Sequence, residues 1–149
     1  MKKLFSTIAL LVVMAVMAAP GSAQSFGDRD AQGVWTFFVH IDGAPPCQCI
    51  QIGRFNADGT VDAPGADNFT GAGLGLWQKT GFNTVSFAIL QNSFNQDGSA
   101  GGEYVIRGTM TLNPTADQGT GTSTFQVLGN DGKVMFSGTA KFTATKLKL

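Results

Sequence analysis

The chain predicts an all-β domain, specifically an eight-stranded antiparallel up-and-down barrel, and three observations carry that expectation. Asp-Gly pairs recur at Asp42-Gly43, Asp58-Gly59, Asp97-Gly98 and Asp131-Gly132. Asp-Gly tolerates the positive φ that tight hairpin turns demand. The runs between the pairs alternate apolar and polar residues, the period of a strand with one buried face. Every connection is local, and a flat sheet of eight short strands would leave edges open to aggregation, which closure removes. A β-sandwich is the runner-up, because strand number alone does not separate the two.

The N-terminus predicts export. Lys2 and Lys3 precede a nearly unbroken apolar run from Leu4 to Ala19, followed by Pro20, Gly21, Ser22 and Ala23. That is the order of a cleaved signal peptide, with cleavage after Ala23 and Ala19 as the alternative. The apolar run is shorter than the roughly 20 residues a spanning helix needs. Removing residues 1–23 from the 149 leaves 126, a single barrel domain over residues 24–149 that is long enough for its own core. Removing Lys2 and Lys3 from ten basic residues leaves eight against ten acidic ones, a net charge of −2. Arg29, Arg54 and Arg107 lie far apart in sequence, so no basic patch points to nucleic acid. The expected location is the periplasm or the extracellular space, with no membrane span after cleavage.

The strands follow in order. Residues 25–32 are a polar lead-in. The first strand covers 33–41, and Ala44-Pro45-Pro46 interrupts the chain because proline cannot donate to a ladder. Strands are expected at 47–55, 60–62, 75–79, 83–94, 102–112, 119–128 and 133–146, with 63–73 as the longest loop. In the last strand Val134, Phe136, Gly138, Ala140, Phe142 and Ala144 share one face, opposite Lys133, Met135, Ser137, Thr139, Lys141, Thr143 and Thr145. One face is buried and one is wet. The many small Thr and Ser argue against a lipid-facing exterior.

Gly33-Val34-Trp35 at the start of the first strand resembles the Gly-x-Trp signature of the calycin barrels, which include lipocalins, fatty-acid-binding proteins and avidin. The resemblance implies a tryptophan plugging one end of the barrel, with a basic side chain from the last strand packed across it. Lys146 has the inward parity for that role, although the family more often uses arginine. Phe55-Asn56-Ala57-Asp58-Gly59-Thr60-Val61, Leu76-Trp77 and Gly138-Thr139-Ala140 also look like small secreted bacterial barrels similar to allene oxide cyclase. No catalytic residue of either group maps onto this chain.

Residues with chemical potential are few. Cys47 and Cys49 are the only cysteines. In an oxidising compartment they suggest a local disulfide, with free or intermolecular thiols, or a soft-metal site completed by His40, as alternatives. Glu103 is the only glutamate, and every aspartate falls in the lead-in, a turn or a loop, where its side chain caps local backbone. No serine sits in a nucleophile elbow, and no cofactor motif occurs. The aromatics remain: Trp77, Phe87, Tyr104, Phe125 and Phe136 are expected to converge on the barrel interior, where Tyr104 supplies a polar handle. Gly33, Trp35 and Lys146 are the expected closure. Phe38 and Val105 face outward and leave a homodimer open.

These residues lead to an exported small β-barrel that binds a small apolar molecule in its interior. Two alternatives stand beside it. One is a cyclase or isomerase that acts on an apolar substrate by confinement. The other is a structural or interaction protein with a filled barrel. Whether the protein is an enzyme is left open.

Overall fold

The computed structural model describes residues 31–45, 49–65 and 70–148. The expected signal peptide and Cys47 lie outside the described residues. Eight strands follow one another: β1 (Gly33–Ile41), β2 (Cys49–Phe55), β3 (Thr60–Ala63), β4 (Thr70–Lys79), β5 (Thr84–Phe94), β6 (Ala100–Leu112), β7 (Gln118–Leu128) and β8 (Val134–Lys146). Each pairs antiparallel with its successor, and β8 closes on β1 from Trp35 opposite Lys146 to Ile41 opposite Ala140. The result is a closed barrel in sequence order. The sandwich alternative is excluded, and the described residues contain no helix.

Three hairpins use one turn device. Gly59, Gly98 and Gly132 adopt φ of +85°, +80° and +75°. The aspartate before each glycine accepts a bond from the backbone N–H two residues on: Thr60 to Asp58 at 2.9 Å, Ser99 to Asp97 at 2.9 Å and Lys133 to Asp131 at 3.0 Å. The side chain thus substitutes for a backbone partner in a turn that L-residues other than Asn and Asp enter poorly. Hydrogen bonds from the side chains of Thr60, Ser99 and Lys133, and after them the backbone bonds just named, hold the three carboxyls below the usual carboxylate range.

The interior is built from aromatic rings lying over glycines on a neighbouring strand. Phe87 pairs with Gly108, Phe125 with Gly138 and Phe142 with Gly121. A Cβ added at these glycines would stand 2.4, 2.7 and 2.5 Å from the opposing ring. An eight-stranded barrel is only just wide enough for its side chains. Removing Cβ across the wall gives each ring its space.

One end is plugged. Trp35, Phe55, Val61, Val85 and Met110 are fully buried there. Trp35 Nε1 donates to the Ala31 carbonyl at 2.7 Å, so the lead-in contributes a buried residue. Lys146 Nζ stands 5.7 Å from the centroid of the Trp35 ring, within cation–π range. Gly33, at φ +127°, lies against the same lysine, where a Cβ would come within 2.8 Å of its Cε. Trp77 meets Phe55 edge-on at 5.6 Å and donates Nε1 to the Asn56 carbonyl at 2.8 Å.

Three expectations need correction. The expected loop over 63–73 is too long, because β4 begins at Thr70. Its glycines serve close packing: a Cβ on Gly71 would meet the Phe94 ring at 2.9 Å and one on Gly73 the Leu90 carbonyl oxygen at 2.9 Å. Val134 does not share a face with Phe136, because a register shift in the β7–β8 ladder pairs it with Leu128. Phe136 itself is 57% exposed. The β1–β8 ladder stops at Ala140, so this stretch of β8 overhangs the barrel rim with no β1 strand beside it.

Candidate functional site

Beyond the plug the barrel is not full. A chamber of about 270 Å³ occupies the interior between the aromatic cluster and the opposite end. Its floor is four phenylalanines from four strands. The Phe37 ring lies 5.5 Å from Phe142, 6.3 Å from Phe55 and 6.3 Å from Phe87. Phe87 lies 5.9 Å from both Phe55 and Phe142. Strand alternation puts all four rings inward, and the tilted and edge-on contacts are those that aromatic quadrupoles favour.

The walls above the floor carry Val39, Ile41, Ile89, Ile106 and Phe125. Polar atoms come from Gln51, Gln91, Tyr104, Ser123 and Thr70. Gln91 and Tyr104 are cross-strand neighbours on β5 and β6. Gln91 is buried, and its Nε2 donates to the Gly71 carbonyl at 2.8 Å. No Asp, Glu, His, Lys or Arg is among the described residues lining the chamber.

The expected ligand-lining residues divide. Phe87, Tyr104 and Phe125 line the chamber. Trp77 does not; it belongs to the plug cluster around Phe55, because its position on β4 lies toward the closed end. Phe136 does not either; it sits on the overhang, its ring 5.7 Å from that of Phe125. Phe37, Phe55, Gln51 and Gln91 were absent from the expected set. Their signal was inward parity, and for the two glutamines that signal ran against their polarity.

Of the remaining candidates among the described residues, only Cys49 reaches the chamber. Cys49 lines the chamber and is in a disulfide, which removes its thiolate as a metal ligand. Its expected partner, Cys47, lies outside the described residues. His40 is exposed on the outer face, across from Lys141 on β8. The described residues contain no group of three or more His, Cys, Asp or Glu side chains placed to hold a metal ion. Glu103 and Arg107 are exposed on the outer face of β6. A wider concavity of about 970 Å³ runs over the outside of the sheet past Asp42, Arg107, Lys141 and several threonines. Most of its lining residues are exposed, so it opens to solvent. Among the described residues no helix is long and apolar enough to cross a membrane.

Comparison with known proteins places no relative beside this chain: no protein-family model, curated protein or solved structure matches it.

Proposed function

We propose that this protein binds one small, largely apolar molecule inside its barrel. A single observation carries the reading: the interior keeps a chamber of about 270 Å³ bounded by aromatic rings, although one end of the same barrel is packed solid. Apolar chambers with a few convergent polar groups are the usual form of small-molecule sites. The volume exceeds the roughly 150 Å³ of an engineered protein cavity that takes benzene. It suits one or two fused rings or a short branched chain.

The lining favours binding over acid–base catalysis. Among the described residues, Tyr104 is the only titratable side chain on it apart from the disulfide-bonded cysteine. The N-terminal sequence supports export as the setting in which the protein meets its ligand.

Native mass spectrometry of protein purified from its own source tests the reading, together with thermal melts against a panel of neutral aromatic and terpenoid compounds. Binding predicts a one-to-one adduct and a raised melting temperature. An adduct-free mass and no shift across the panel would refute it.

A further inference from the structure

The chamber's hydrogen-bonding atoms narrow the ligand class, an inference that rests on the binding reading above. Gln91 is 3% exposed, with its amide nitrogen committed to the Gly71 carbonyl at 2.8 Å. The carbonyl of Gly71 can only accept, so the orientation of the Gln91 amide is settled chemically: nitrogen toward Gly71, Oε1 away from it. No other hydrogen bond is made by this side chain among the described residues. Yet among those residues no fully buried side-chain oxygen or nitrogen is left without a partner. Gln91 lines the chamber, and with its nitrogen turned to Gly71 its Oε1 is the side-chain atom left to accept from an occupant.

An acceptor in an apolar enclosure favours an occupant that donates, because an unmet polar group there is costly. Tyr104, opposite Gln91 on β6, brings a hydroxyl that can serve either way. Charge is disfavoured, because no ionic partner is among the described residues of the wall. We infer that the chamber selects neutral ring compounds bearing one hydroxyl or N–H donor, held by Gln91 Oε1 with the ring against Phe37, Phe87 and Phe142.

Calorimetry with three probes of one shape tests this: a naphthol, its methyl ether and the matching naphthoate. The naphthol should bind about tenfold more tightly than the ether, the scale of one hydrogen bond, and the naphthoate should bind most weakly. Gln91→Leu should erase the preference for naphthol over ether, while Tyr104→Phe should retain it. Far-ultraviolet circular dichroism and melting of each variant establish that the barrel has folded. If Gln91→Leu does not fold, the wild-type ranking of the three probes decides alone. Equal binding of naphthol and ether to wild-type protein would overturn the inference while leaving the binding reading standing. Tightest binding of the naphthoate would overturn it too. Failure of all three probes to bind would overturn the inference, while the binding reading stands or falls on the native mass and the ligand panel.

Discussion

At the residue scale the structure depends on positions that lack a side chain as much as on those that have one. Gly108 gives the Phe87 ring its place, and a Cβ there would stand 2.4 Å from the ring. Gly108→Ala should therefore destabilise the barrel by about 1–3 kcal/mol, the usual cost of overpacking, and should weaken ligand binding by pushing Phe87 into the chamber. Denaturant unfolding and calorimetry measure the two effects; an unchanged midpoint with unchanged affinity would mean the ring has room to spare.

The turn aspartates set the acid response. Asp58, Asp97 and Asp131 are held below the ordinary carboxylate value by the bonds described above. Asp117 is lowered furthest, first by Lys148, then by Thr115 and Asn113. A carboxyl with a depressed folded-state pKa binds fewer protons when folded than when unfolded. Its contribution is present above the unfolded value of about 3.9 and is lost as pH falls through the folded value. The melting temperature should stay level down to about pH 5 and fall below about pH 4. Asp117→Asn should flatten that fall. A melting temperature constant to about pH 2 would contradict the role given to these turns.

At the scale of elements the decisive seam is β8 against β1, where the last strand closes on the first. Lys146 joins it to the plug through the Trp35 ring. Lys146→Ala should cost about 0.5–2 kcal/mol and Lys146→Arg much less, since a guanidinium also stacks on an indole. Trp35→Ala should cost about 3–5 kcal/mol, because a fully buried indole leaves a cavity. Equilibrium denaturation of the three variants checks the order; equal losses for Lys146→Ala and Lys146→Arg would remove the cation from the explanation.

The strands also show what a sequence can and cannot disclose. Gly33–Ile41 was legible to the residue, because Asp42-Gly43 ends it and Phe37, Val39 and Ile41 alternate with Phe38 and His40. The start of β4 was not, because Gly71 and Gly73 look like loop until the Phe94 ring and the β5 backbone are seen against them. Phe136 has the right parity but the wrong height. Alternation tells which face a residue occupies and not where the neighbouring wall ends, so nothing local marked Ala140 as the last residue of β8 paired with β1. Phe87, Tyr104 and Phe125 were legible as chamber residues because both face and height favoured them. Gln91 was not, because an inward polar residue acquires meaning only once its partner on β4 is known.

At the scale of the whole molecule the barrel has two halves with different work. The plugged end supplies stability through its fully buried side chains. The other half holds open space inside the same closed wall. Because the described lining is uncharged, affinity for a neutral ligand should change little between about 0.05 and 0.5 M salt, where ionic contacts would be screened. A ligand at a hundred times its Kd should stabilise the fold by about 2.7 kcal/mol, which a thermal melt resolves as a shift of several degrees. The outer wall offers a competing apolar surface, since Leu74 and Leu76 on β4 are 71% and 68% exposed.

A crystal soaked with a brominated naphthol separates the two locations, because bromine can be found by its anomalous scattering. Binding in the barrel predicts one bromine peak enclosed by Phe37, Phe87, Phe142 and Ile106. Peaks confined to the outer face beside Leu74 and Leu76, with nothing between the phenylalanines, would contradict it.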